Sequence, residues 1–128
     1  MQPSTPQPTG PVDGTILGMD ERDDLAERVR RAVRALPPGT VATYGDVAEL
    51  VGCGPRQVGR VMATDASDTP WWRVVNASGR LPAPLLPQAR ERWSEEGITV
   101  ASPGDAVLLR RHRVDPHSWA ARVEADDR

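Results

Sequence analysis

Phenylalanine and lysine are absent from this 128-residue chain, and cysteine and tyrosine occur once each. The single thiol, Cys53, excludes a disulfide within the chain and a multi-thiolate metal site, and it suits a reducing compartment. No stretch approaches the ~20 apolar residues of a membrane span. The N-terminus lacks the basic-then-apolar pattern of a signal peptide. A soluble cytoplasmic protein is therefore expected, one that needs no cofactor. Without lysine, all sixteen basic side chains are arginine; this reads as nucleotide bias of the source genome, although arginine also holds phosphates and stacks on rings better than lysine does. The formal net charge is −2, so any polyanion-binding face has to be a local patch. What is present is tryptophan, which supplies four of the five aromatic residues.

The length allows one compact domain. Residues 1–19 hold four prolines and little apolar periodicity, and are expected to form a disordered leader. A single domain is expected over 20–123, with 124–128 as a frayed tail. Leu25, Val29, Ala32, Val33 and Leu36 recur at helical spacing, which predicts a helix over 23–35 capped by Asp23 or Asp24 and stopped by Pro37-Pro38-Gly39. Thr40-Val41-Ala42 reads as extended. Thr43 and Asp46 form a capping box before a helix over 44–51. After Gly52-Cys53-Gly54, Pro55 suits the first position of a helix reaching Ala63. The pair reads as helix-turn-helix. Trp72–Val75 reads as a short apolar β segment, 81–87 as an irregular loop because of its three prolines, and 88–96 as a helix closed by Gly97. Segments 98–100 and 106–109 are expected to pair as a hairpin. The fold class is mostly α with short strands, a winged helix-turn-helix.

Four words then stand out: P-P-G-T-V-A-T-Y-G-D-V-A (37–48), P-R-Q-V-G-R-V-M (55–62), P-W-W-R-V-V-N-A-S-G (70–79) and R-E-R-W-S-E-E-G (90–97). In order and spacing they resemble the C-terminal, DNA-binding domain of the O6-alkylguanine-DNA alkyltransferases, over about half the chain and weakly on to Trp119. The enzymes of that family carry P-C-H-R-V: the cysteine accepts the alkyl group once, a histidine acting through water removes its proton, and a glutamate orients the histidine. Here the cysteine position is Trp71, the histidine position is Trp72, and the glutamate position is Glu96. Indole offers no nucleophile and no general base. The pattern is similar to the alkyltransferase-like proteins, in which tryptophan replaces the cysteine. Their common word is P-W-H-R, from which Trp72 departs. The resemblance implies a non-enzymatic protein that flips O6-alkylguanine out of duplex DNA, holds it, and marks it for nucleotide excision repair proteins.

The resemblance also assigns roles. Arg56 is the residue expected to fill the gap left by the flipped base, and Tyr44 the one that helps rotate the nucleotide. Gly59 invites close approach of backbone to DNA or of one helix to another, since mid-helix glycine costs up to ~1 kcal/mol relative to alanine. Arg60 is an expected phosphate contact, and Thr43 and Gln57 complete the expected DNA-binding face. By resemblance the second helix enters the minor groove, where little sequence information is displayed. The lesion pocket is expected to comprise Trp71, Tyr44, Val74, Ser78, Gly79 and Arg80. Trp72 is expected in the core. Arg73 is expected to pair with a carboxylate such as Glu96, and Asn76 to shape a turn. The loop after Gly79 is shorter than in alkyltransferase-like proteins and holds one arginine, so either Arg80 does the work of their base-sensing arginine from a shifted position or the lid is apolar; Leu81, Leu85 and Leu86 line the lid or pack beneath it. Cys53 reads as a small packing residue. His112 and His117 lie outside the words, and no metal is expected. Two other readings stand beside this one: a winged-helix regulator indifferent to the lesion, and an alkyltransferase acting through Cys53. The protein is expected to be a monomer, nucleoid-associated if bacterial.

Overall fold

The computed structural model describes residues 24–101 and 105–126. The expected leader at 1–19 and the capping residue Asp23 lie outside them. The first helix, α1, covers residues 24–34. Its apolar stripe buries Val29, Ala32 and Val33 almost completely, with Leu36 just beyond its end. The chain then extends into β1 (Ala42–Thr43) and turns at once into α2 (Tyr44–Val51). The capping box closes as the sequence demands: Thr43 Oγ1 accepts from Asp46 N at 3.0 Å, and Asp46 Oδ2 accepts from Thr43 N at 3.0 Å. Gly52, at φ 89°, ends α2 in the left-handed region that a side chain would disfavour. Pro55 opens α3 (Pro55–Thr64), and Gln57 Oε1 accepts from Gly54 N at 2.8 Å.

A 3-10 turn over Trp71–Arg73 leads into β2 (Val74–Val75), which pairs with β1 in parallel, Ala42 opposite Val74 and Thr43 opposite Val75. The β segment expected over 72–75 is thus half turn. Trp71 N donates to Thr69 O at 2.7 Å and Arg73 N to Pro70 O at 3.1 Å, so both tryptophans sit in a tight curl rather than in a ladder.

The loop expected over 81–87 is ordered too. A second 3-10 turn spans Ala83–Leu85, and α4 (Leu86–Glu96) starts two residues before the expected helix. Pro87 lies in the first turn of α4, where a missing N–H leaves no bond unmade. The expected hairpin reduces to one antiparallel bridge, Val100 with Val107. Val107 N donates to Gly79 O at 2.8 Å, which ties this strand to the loop after β2. Leu109, expected to end the second strand, begins a four-residue helix, α5 (Leu109–His112). The intended hairpin tip, 102–104, falls outside the described residues.

The last helix, α6 (Pro116–Asp126), runs into the stretch expected to fray. Trp119 Nε1 donates to Ala32 O at 2.8 Å and Arg122 Nε to Ala35 O at 2.9 Å, satisfying carbonyls at the end of α1. Two cores result. One gathers α1, α2, α3 and Trp119; the other gathers Val41, Val75, Ala89, Trp93, Ile98 and Val107 around α4.

Candidate functional site

A cleft of about 1140 Å³ opens between the two cores. Tyr44, at the first position of α2, packs on the first core and lines one side. Trp71 and Trp72 pack on the second core and line the other. Their rings meet edge to face, with centroids 5.7 Å apart and planes at 84°. Gly59 faces the same space from α3, and Leu81 and Leu85 from the 3-10 turn region. Desolvation pushes the Tyr44 phenol above its usual pKa of 10.0, so it stays a neutral donor at physiological pH.

A Cβ built on Gly59 would meet nothing within 4 Å. Of the two explanations for this glycine, close helix packing is therefore removed, and open space toward the cleft is left. Gly79 is the opposite case. Its φ is +80°, and an added Cβ would lie 2.5 Å from Val107 O. The residue is required for docking the loop on Val107, and it does not line the cleft.

The ionic element of the site lies behind the tryptophans. Glu96 Oε1 accepts from Gly39 N at 3.0 Å, and Oε2 accepts from Trp72 Nε1 at 2.9 Å. Arg73 donates from Nε at 3.0 and 3.2 Å and from Nη2 at 2.5 Å, while its Nη1 donates to Leu36 O at 2.8 Å. Burial pushes the Glu96 carboxyl up, but the bonds from Arg73, Gly39 and Trp72, with the Arg73 charge, outweigh this and hold it below its ordinary range. The expected pairing of Arg73 with Glu96 is what the side chains make. Trp72, expected in the core, is half-buried instead, because its N–H is bonded to this carboxylate while its ring faces the cleft. Trp93 is the core tryptophan here, fully buried, with Nε1 donating to Trp72 O at 2.7 Å.

Val74 is fully buried in the first core and also lines the cleft. Other expected residues fall elsewhere. Ser78 and Arg80 are exposed and are not among the cleft's lining residues; Asn76 Oδ1 accepts from both of their backbone N–H groups at 2.9 Å, which holds the turn. Asn76 thus shapes the turn as expected. Thr43 is 7% exposed with its hydroxyl engaged as the α2 cap, so it offers no free group to a ligand. Arg56, Gln57 and Arg60 are exposed along α3. Neither the Arg56 nor the Arg60 side chain bonds or ion-pairs with a described residue, while Gln57 keeps only its amide N–H groups free.

Cys53 packs partly against the first core and is not on the cleft; burial pushes its thiol up, with the Arg28 charge acting the other way. His112 Nε2 accepts from Thr99 N at 2.9 Å, a structural role. Among the described residues no cluster of His, Cys, Asp or Glu could hold a metal ion, and no helix is long and apolar enough to cross a membrane.

Sequence reasoning missed Arg92, Gln88, Arg34 and Met62, all of which line the cleft. Arg92 shares the fourth word with Glu96, but nothing local to that word shows that α4 turns this position toward Trp72. The guanidinium carbon of Arg92 lies 4.9 Å from the Trp72 ring centroid, and that of Arg73 lies 5.4 Å from it.

Comparison with known proteins agrees with this architecture. Residues 24–98 match the family described as the 6-O-methylguanine DNA methyltransferase, DNA binding domain. The DNA base-flipping protein of Escherichia coli K12 is 41% identical over 101 residues, which cover 74% of this chain and 78% of that protein. The crystal structure of S. pombe ATL in complex with DNA superposes with a TM-score of 0.63 at 33% identity, covering 73% of this chain and 97% of that one. S. pombe Atl1 in complex with damaged DNA containing O6-carboxymethylguanine gives 0.60 at 30%, with the same coverage. A helix-turn-helix packed beside a tryptophan-lined cleft, in a chain so related, belongs to the 6-O-methylguanine DNA methyltransferase DNA-binding-domain family, among its alkyltransferase-like members.

Proposed function

We propose that this protein recognises O6-alkylguanine in duplex DNA by flipping the base into the cleft, that it holds the base without dealkylating it, and that it directs the lesion to nucleotide excision repair proteins. The observation that carries this reading is the cleft wall: two half-buried tryptophans, one of them bonded through its N–H to Glu96, with no thiol among the lining residues. An aromatic wall suits a nucleobase, since base–aromatic stacking contributes ~1–3 kcal/mol. Alkyl transfer requires a thiolate. Cys53 lies off the cleft with its thiol pushed up by burial, which speaks against the alkyltransferase reading. A related protein bound to damaged DNA, and another named for base flipping, support the partner and the act.

In this reading α3 approaches the duplex, presenting Arg56, Gln57 and Arg60, with Arg56 replacing the extruded base and Tyr44 guiding rotation. Extrusion costs a few kcal/mol, less for a weakly paired base. The protein acts as a monomer, in the compartment that holds the DNA. Trp71→Ala is expected to narrow the affinity gap between alkylated and plain duplexes; equal weakening on both, in paired titrations, assigns Trp71 a structural role only.

Gly59→Ala separates folding from binding. The added methyl meets no atom within 4 Å, so the free protein gains helix propensity, up to ~1 kcal/mol by urea denaturation. Affinity for duplex DNA falls, because the methyl stands where the backbone approaches the nucleotide. A variant that gains stability and binds DNA as before contradicts that role.

A further inference from the structure

Among the cleft's charged residues, Arg92 is distinctive in its pairing. Arg73 is neutralised by Glu96 at 2.5 Å. Arg34 is balanced by Asp68 at 3.4 Å and Glu27 at 3.8 Å. Among the described residues Arg92 pairs only with Glu95, at 3.7 Å, with both side chains more than half exposed at 53% and 66%. Such a pair is worth little in water. No side chain or carbonyl among the described residues accepts a hydrogen bond from Arg92. Its guanidinium carbon nevertheless lies 4.9 Å from the Trp72 ring centroid, within cation–π range. Such a contact leaves the N–H edge of the guanidinium open to an acceptor. The edge belongs to a residue of the cleft wall, shared with Gln88 one turn earlier on α4 and with Leu85.

We propose that Arg92 makes the cleft selective for O6 substituents that carry a carboxylate, accepting them through charge-assisted hydrogen bonds from its open edge. The inference rests on the lesion-binding reading above and adds a class of adduct to it. The position of Trp72 is integral. An indole there binds Glu96 by its N–H and leaves its ring as the platform for Arg92. Small apolar adducts need none of this, because the tryptophan wall accommodates them without a donor.

Binding titrations with four otherwise identical duplexes test it: guanine, O6-methylguanine, O6-carboxymethylguanine and the neutral O6-carbamoylmethylguanine of nearly equal size. The full chain is expected to hold the carboxymethyl duplex about tenfold more tightly than the carbamoylmethyl one, the lower range for a hydrogen bond between charged groups. Arg92→Gln is expected to bring the two within about twofold, with circular dichroism of the free variant showing it to be folded. A native ratio near one, a ratio that survives Arg92→Gln, or a uniform loss on all four duplexes overturns the proposal; the last makes Arg92 a phosphate contact. Failure to tell O6-methylguanine from guanine is a separate result, and it overturns the lesion-binding reading along with this one.

Discussion

Arg56→Ala is expected to weaken binding to an O6-methylguanine duplex at least tenfold, about 1.4 kcal/mol or more. Arg56 is exposed in the first turn of α3 and makes no bond or ion pair to a described residue. Its removal therefore leaves the fold intact, and any loss belongs to DNA. A guanidinium that fills the vacated stack acts through its plane as well as its charge. Arg56→Lys keeps the charge and loses the plane, so it should bind nearly as poorly as the alanine variant. An ordinary phosphate contact behaves differently: lysine restores affinity, and alanine flattens the salt dependence by about one ion. Unchanged affinity in Arg56→Ala, or full rescue by lysine, contradicts insertion.

Arg73→Ala should cost about 3 kcal/mol of folding stability, at the lower end for removing one partner of a buried ion pair. Arg73 and Glu96 are only 11% and 12% exposed, and Arg73 also donates to Leu36 O, so one side chain joins the end of α1 to the end of α4. Gly39 N and Trp72 Nε1 still serve the stranded carboxylate, which keeps the loss from being larger. Arg90→Ala is the control. Its bond to Asp105 also measures 2.5 Å, but the Arg90 side chain is 55% exposed, and the change is expected to stay within ~1 kcal/mol. The same carboxylate shapes the acid limb of stability. Its folded pKa is lowered from the ordinary 4.5, so the contribution is complete at pH values above 4.5. Below that the unfolded chain takes up the proton first, and the contribution shrinks until pH passes the folded pKa. Glu96→Gln should flatten this part of the acid limb; an identical acid limb in urea titrations contradicts the assignment.

Local chemistry made the helix-turn-helix legible. T-Y-G-D contains its own cap, and a proline following Gly-Cys-Gly admits few structures other than a helix start, so α2 and α3 fall where the residues predict them. The α6 helix was legible in principle: Asp115 caps it by accepting from Ser118 N at 2.9 Å, and Pro116 opens it, but its apolar residues on the core, buried Trp119 and half-buried Val123, give weak periodicity. The segment bridging Val100 and Val107 was less readable, because Val107 gives its N–H to Gly79 across a contact that no local pattern encodes. Arg80 follows Gly79 in the Asn76 turn and is not among the cleft's lining residues. Arg92 lines the cleft instead, from α4, whose Trp93 donates from Nε1 to Trp72 O. Local words place side chains on a helix; only the packing of two cores decides which of them share a cleft.

The central claim is that the cleft grips alkylated guanine and performs no chemistry on it. Titration of the full chain with matched duplexes, with and without O6-methylguanine, followed by intact mass of the recovered protein and DNA, tests it most directly. The account predicts tighter binding to the alkylated duplex, with both masses unchanged. A protein heavier by one methyl group, an oligonucleotide restored to guanine, or equal affinity for the two duplexes contradicts it.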